Sequence, residues 1–133
     1  MIDKELVEAA REARLNAYSP FSGFRVGACL VAKSGKTYVG CNVESASFTP
    51  TCCAERTALF TAVAAGEREF EAIAVACDGR KPAWPCGVCR QSLIEFSPDM
   101  RVIAAGEDGG WEEAKLSDLL PHAFIEFDHN EHE

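Results

Sequence analysis

The order of local patterns along the chain predicts an α/β fold in three layers: a mixed five-stranded sheet covered by helices on both faces. Three observations carry that prediction. Two strand-like runs, residues 26–32 and 37–43, are separated by a short turn and therefore pair antiparallel. The later apolar runs alternate with helical patterns, which suits connections across a sheet. Residues 72–76 (Ala-Ile-Ala-Val-Ala) have no polar face at all, as a strand buried on both sides requires.

Each element has its own signal. Residues 2–17 place Leu6, Ala9, Ala10, Ala13 and Ala17 at helical spacing, with Asp3 as the expected cap and Ser19-Pro20 as the stop. Ser34-Gly35-Lys36 is the turn of the hairpin. After a loop over 44–51, residues 52–65 carry a helical stripe of Ala58, Leu59, Ala62 and Ala65, closed by Gly66 as C-terminal cap. Beyond the apolar strand, a loop rich in Gly and Pro leads to a second helix over 86–96, which Ser97-Pro98 ends. Residues 101–105 form the next strand and 111–115 an edge strand, followed by a short helix expected to be capped by Ser117. Residues 125–133, ending in an acidic stretch, should fray. A single domain over residues 1–133 is expected, with no internal repeat and no low-complexity segment.

Composition narrows the function classes. The 133 residues, 47% hydrophobic and 26% charged, suffice for one ordinary core. No apolar run approaches the roughly 20 residues that span a bilayer, and the start Met1-Ile2-Asp3-Lys4-Glu5 lacks the layout of a signal peptide. A cytoplasmic protein with no membrane partner is expected. The net charge of −8 disfavours nucleic acid, whose binding draws on neutralised phosphates, and favours a neutral small molecule. Seven cysteines leave one unpaired in any disulfide scheme, so metal binding or catalysis is the better reading of those with telling spacing.

Two clusters have such spacing: Cys53-Ala54-Glu55 and Pro85-Cys86-Gly87-Val88-Cys89. Both fall where a loop becomes a helix. Cys86 and Cys89, three apart, share one face of a first helical turn, and Cys53 would add a third thiolate from another helix. Three protein ligands leave one tetrahedral position of a zinc ion open, the mark of a catalytic rather than a structural site. Helix N-termini favour thiolates, and Arg56 is near enough in the chain to donate to a ligand sulfur and offset the excess negative charge. Glu55, two residues from a ligand, can take a proton from an attacking water and return it to the substrate.

With these motifs the chain resembles the small, homotetrameric, three-cysteine cytidine deaminases, over residues 18–124. The resemblance also runs through Tyr18-Ser19-Pro20-Phe21-Ser22-Gly23-Phe24, Val26-Gly27-Ala28, Gly40-Cys41-Asn42-Val43-Glu44, Arg56-Thr57-Ala58, Arg90-Gln91 and Leu119-Leu120-Pro121-His122-Ala123-Phe124. It implies the three-layer fold of that family, one Zn²⁺ per subunit on Cys53, Cys86 and Cys89, and Glu55 as the catalytic proton carrier. It further implies Asn42 and Glu44 on the ribose hydroxyls, Phe24 on the pyrimidine and backbone N–H groups near Ala54 on the base. Phe124 would be lent by a neighbouring subunit, so that a homotetramer shares its active sites. The implied reaction, hydrolysis at C4, turns cytidine and deoxycytidine into uridine and deoxyuridine plus ammonia, as in pyrimidine salvage.

Two positions depart from the family pattern: Ser45, where Asn is usual, and Phe48, often Tyr and here without a phenolic hydroxyl. Cys29, Cys41 and Cys77 fall in expected strands and suit small buried hydrophobes. Cys52 should diverge from its neighbour Cys53, and His122, His129 and His132 are read as surface residues rather than ligands. The competing functions are a structural zinc module with Cys52 as fourth ligand, a deaminase of a cytosine-nucleoside antibiotic, a nucleic-acid editing enzyme and a deoxycytidylate deaminase.

Overall fold

A computed structural model of the protein describes residues 2–125. Residues 126–133, with His129, His132 and nearly all of the expected frayed tail, lie outside the described residues. The elements run α1 (Asp3–Ala13), β1 (Val26–Ala32), β2 (Thr37–Cys41), α2 (Ala54–Ala64), β3 (Phe70–Cys77), α3 (Gly87–Ile94), β4 (Arg101–Ala105), β5 (Trp111–Lys115) and α4 (Leu116–Leu119). The five strands form one sheet in the order β2-β1-β3-β4-β5, with only the β3–β4 pair parallel. The expected mixed sheet, its hairpin and its edge strand are therefore all present.

The sheet separates two cores. On one face Leu6, Val7 and Ala10 of α1 pack on Cys29, Val31, Ala74 and Ile103. On the other, Ala58, Leu59 and Ala62 of α2 and Leu93 of α3 pack on Leu30, Ile73, Val75 and Val102. Central β3 is buried from Ala72 to Cys77, as its unbroken apolar sequence requires. Helices thus cover both faces, in three layers.

Local chemistry sets the boundaries. The hairpin turn closes with Gly35 at φ +92° and the Ala32 amide bonded to the Lys36 carbonyl at 2.9 Å. Helix α2 ends in a Schellman arrangement, in which the N–H of Gly66 (φ +100°) bonds Val63 O and that of Glu67 bonds Ala62 O. Two glycines permit close approach. A Cβ on Gly27 would lie 2.1 Å from Ala10 O of α1, and one on Gly40 would lie 2.5 Å from Ala54 O of α2.

Four expectations require correction. The first helix stops at Ala13, not Ala17, and its end tightens into a 3₁₀ turn over Arg14–Asn16. The chain must already be extended by Tyr18, whose N–H bonds Asn42 O and whose carbonyl accepts from Glu44 N. Asp3 is inside α1 rather than its cap; the cap is Ile2, whose N–H is accepted by the Glu5 carboxylate at 3.1 Å. Ser117 is likewise inside α4, because Met100 O and Pro98 O accept the N–H groups of Leu116 and Ser117. Strand β2 ends at Cys41, leaving Val43 only an isolated bridge to Tyr18 and to Cys52.

Candidate metal centre and its cavity

The N-termini of α2 and α3 bring the cysteines together. Cys53 is the N-cap of α2 and Cys86 the N-cap of α3, both extended, while Cys89 lies within the first turn of α3. The three Sγ atoms lie within 4.8 Å of one another, with Cys53–Cys86 at 3.8 Å and Cys86–Cys89 at 3.5 Å. Tetrahedral zinc with bonds of about 2.3 Å sets sulfurs about 3.8 Å apart. Thiols at that spacing, on helix N-termini where partial positive charge favours thiolate, fit the ion. Cys52 is turned elsewhere: its sulfur accepts from the Thr57 hydroxyl at 3.6 Å, and it does not join the cluster. Three ligands remain, as an open site requires.

The charge balance is visible in the side chains around the sulfurs. Arg56 Nη2 donates to Cys53 Sγ at 3.5 Å. The hydrogen bond from Cys89, helped by Arg56 and opposed by burial, lowers the Cys53 thiol to about 5, while Cys89 is raised by the same contact and by burial. A divalent cation at the cluster would draw the protons from these thiols. The Arg56 guanidinium stays cationic, its pKa raised by that sulfur.

Glu55 sits beside the sulfurs as the one buried ionisable side chain among the described residues that is not a cysteine, 4% exposed. Burial, seconded by the charge on Cys53, pushes its carboxyl up to about 7. A carboxyl with that value holds and releases a proton with comparable ease near neutrality, as a proton carrier must.

Cys53 and Cys86 open into a cavity of about 300 Å³, lined mainly by apolar surface, with Cys89 buried behind them. Phe24, Asn42, Glu44, Cys53, Ala54, Glu55 and Cys86 all contribute to it. The sequence-predicted residues are thus brought to one place, with one exception. Phe124 is 60% exposed and is not part of the cavity wall; Gln91 of α3 holds its backbone, accepting from the Phe124 N–H and donating to its carbonyl.

Two side chains are engaged in ways their sequence context did not reveal. Asn42 Oδ1 accepts from Val26 N and its Nδ2 donates to Phe24 O, both at 2.9 Å, so the amide also fixes the segment that presents Phe24. Glu44 Oε1 accepts from the N–H groups of Phe21 (2.9 Å) and Ser22 (3.1 Å), and Oε2 accepts from the Ser22 hydroxyl. These bonds, the Ser22 hydroxyl foremost, hold its carboxyl below the usual range, so Glu44 faces the cavity as an anion.

Sequence reasoning missed two further features. Trp84, Ala83 and Val75 also line the cavity; the signal for Trp84 was a large aromatic immediately before Pro-Cys in a loop otherwise read as mere connection. Asp78, at the end of β3, accepts from Arg25 N and Nε at 2.9 Å and pairs with Arg14, fastening the entry of β1 to the same loop. Nothing short of the fold brings Arg14, Arg25 and Asp78 together.

Comparison with known proteins agrees with the geometry. The family description "Cytidine and deoxycytidylate deaminase zinc-binding region" matches residues 1–105. A cytidine deaminase of Halalkalibacterium halodurans is 46% identical over 127 residues, covering 95% of this chain and 96% of its own length. One from Sporosarcina psychrophila is 44% identical over 126 residues, covering 94% and 93%. The crystal structure of a cytidine deaminase from Burkholderia pseudomallei superposes with a TM-score of 0.90 at 49% identity, covering 93% of this chain and 100% of that one.

Proposed function

The chain belongs to the cytidine and deoxycytidylate deaminase zinc-binding family, and on that premise we propose that it is a zinc-dependent hydrolase converting cytidine and deoxycytidine to the uracil nucleosides and ammonia. The observation that carries the reading is one cavity, lined by two of three gathered thiols, by Glu55 with its raised carboxyl and by two groups suited to a sugar, Asn42 and Glu44.

In this reading Cys53, Cys86 and Cys89 would hold the zinc, which would act as a Lewis acid on the attacking water and make it reactive near neutral pH. Phe24 lies on the pyrimidine face. The first-turn N–H groups at Ala54, which have no partner within α2, donate to the base carbonyl. Glu55 takes a proton from the attacking water, places one on N3 and later delivers one to the departing amine. Burial of Glu55 raises its carboxyl above the ordinary value near 4.3 and so makes it a stronger base for these steps. Arg56 steadies the sulfur charge through Cys53.

The sugar end selects a free nucleoside. Glu44 stays ionised among the Phe21 and Ser22 donors; it can accept a ribose hydroxyl and would repel a phosphate. That argues against deoxycytidylate and, with the net charge of −8, against nucleic acid. The chain acts as one deaminase domain in the cytoplasm. Among the described residues, no helix is long and apolar enough to cross a membrane. The exposed Phe124, outside its own cavity, supports a homotetramer in which a neighbour's Phe124 completes each site.

The test is ammonia release from cytidine, deoxycytidine, cytosine, CMP and a cytosine-containing oligonucleotide. Turnover of the two nucleosides is expected. Turnover confined to the free base or the oligonucleotide would overturn the proposal.

A further inference from the structure

The Asp78–Cys86 loop does more than deliver a metal ligand, and its aromatic residue has no part in the chemistry so far described. Trp84 is half-buried, packs against the core beneath the sheet and lines the same cavity as Glu55 and Phe24. Only Pro85, itself buried, separates it from Cys86. The Pro85 carbonyl accepts from Arg90 Nε at 2.7 Å, and Arg90 Nη1 also donates to Leu119 O at 2.7 Å. The wall that carries Trp84 is therefore anchored to α3 and cannot simply swing away.

The orientation of the base follows from the chemistry. C4 must face the sulfur cluster, and N3, one neighbour of C4, must face Glu55 on α2. The other neighbour, C5, then points away from α2. The sugar lies toward Asn42 and Glu44, and the ring face lies on Phe24. Of the cavity-lining residues not yet given a role, Trp84 is the only aromatic, and it is tied to Cys86 through Pro85 alone.

We propose that the Trp84 indole is the specificity-determining wall against C5 of the pyrimidine, so that it sets how large a 5-substituent the site accepts. The inference rests on the reading of the cavity as a cytosine-nucleoside site. A hydrogen at C5 fits against the indole; a methyl, bromine or iodine must displace it, and the pinned Pro85 leaves it little room. Each added group of methyl size in an apolar pocket shifts selectivity by roughly ten- to two-hundredfold.

The experiment is steady-state kinetics on cytidine, 5-methylcytidine and 5-iodocytidine for the wild-type chain and the Trp84→Ala and Trp84→Phe variants. Calorimetric binding of uridine and 5-iodouridine accompanies it. In the wild type, kcat/KM should fall with substituent size. In Trp84→Ala the ratio of 5-iodocytidine to cytidine should rise by about tenfold or more, mostly through KM, with Trp84→Phe intermediate. The binding ratio of 5-iodouridine to uridine should move in the same order. If Trp84→Ala does not fold, the Trp84→Phe ratio alone must still rise. A wild type that processes 5-iodocytidine as well as cytidine overturns the proposal, as do folded variants that leave both ratios unmoved while cytidine is still turned over. A wild type that neither deaminates cytidine nor binds uridine overturns the functional reading itself, and this inference with it.

Discussion

At the scale of single residues, the proposed reaction divides the work: Glu55 would transfer protons and its cysteine neighbours would bind the metal. Glu55 does not contribute a sulfur-like ligand position, since the three thiols already lie at zinc spacing without it. Glu55→Gln keeps the shape and removes the proton traffic. Its kcat on cytidine should fall by roughly 10²–10⁴, while metal analysis still finds one zinc per chain; loss of zinc in parallel with activity would make Glu55 a ligand instead. The residues that could be read from the sequence are those whose spacing is itself chemistry: Cys86 and Cys89 three apart, and Glu55 two from Cys53. Trp84 was not legible, because a bulky aromatic in a Gly- and Pro-rich loop has no periodicity to say which way it faces. Asn42 was legible only in part. The family resemblance implied a sugar contact for it, but the two bonds to Phe24 O and Val26 N depend on strands β1 and β2 lying side by side.

At the scale of elements, the N-terminus of α2 is seated on β2 by a backbone contact that involves none of the thiols. Helix α2 can lie close on β2 because Gly40 has no side chain: a Cβ there would stand 2.5 Å from both Ala54 O and Ala58 N. Backbone atoms cannot yield as a flexible side chain would, so the helix itself must shift. Gly40→Ala should therefore cost about 1–3 kcal/mol in denaturant unfolding, and it should weaken zinc retention as well, because Ala54 follows directly on Cys53 and precedes Glu55. Unchanged zinc affinity in a destabilised Gly40→Ala would mean that the α2 terminus is positioned by the metal rather than by the sheet. The elements were legible in the sequence wherever the pattern was continuous: β1, β4 and β5 match their expected ranges, and β3 extends beyond its apolar run by Phe70, Glu71 and Cys77. Apart from β2, which stops two residues short of its expected end, the failures sit at helix ends. Asp3 and Ser117 have the chemistry of caps, yet Glu5 satisfies the Ile2 N–H, and backbone carbonyls from the loop before β4 satisfy those of Leu116 and Ser117. Such partners are set by tertiary position, which local propensity does not record.

At the scale of the whole molecule, Asp78 fastens α1, the entry of β1 and the loop to α3 at one point. Burial raises its carboxyl, but the bonds from Arg25 and Arg14 outweigh this and hold it below the ordinary aspartate value. A folded-state pKa depressed in this way stabilises the fold above the unfolded value near 3.9, and the contribution is lost as pH falls through the folded value. The stability difference between wild type and Asp78→Asn should hence be constant from about pH 5 to 8 and shrink below about pH 4; a difference that persists undiminished at the lowest pH would assign it to packing alone. The same scale decides whether one chain is a complete enzyme. Large apolar side chains stand exposed at Tyr18, Phe21, Val39, Phe48, Phe60 and Phe124. If Phe124 completes a neighbour's cavity, Phe124→Ala and Glu55→Gln lesion different halves of a shared site. Each variant alone should be strongly impaired. Dissociated, mixed and reassembled, the two should recover activity, because a Phe124→Ala subunit with intact Glu55 can borrow Phe124 from a Glu55→Gln neighbour. Random pairing of equal amounts would rebuild such sites in about a quarter of the positions if each draws on one neighbour. A mixture no more active than the average of its parts would place Phe124 in its own chain's site, or in none.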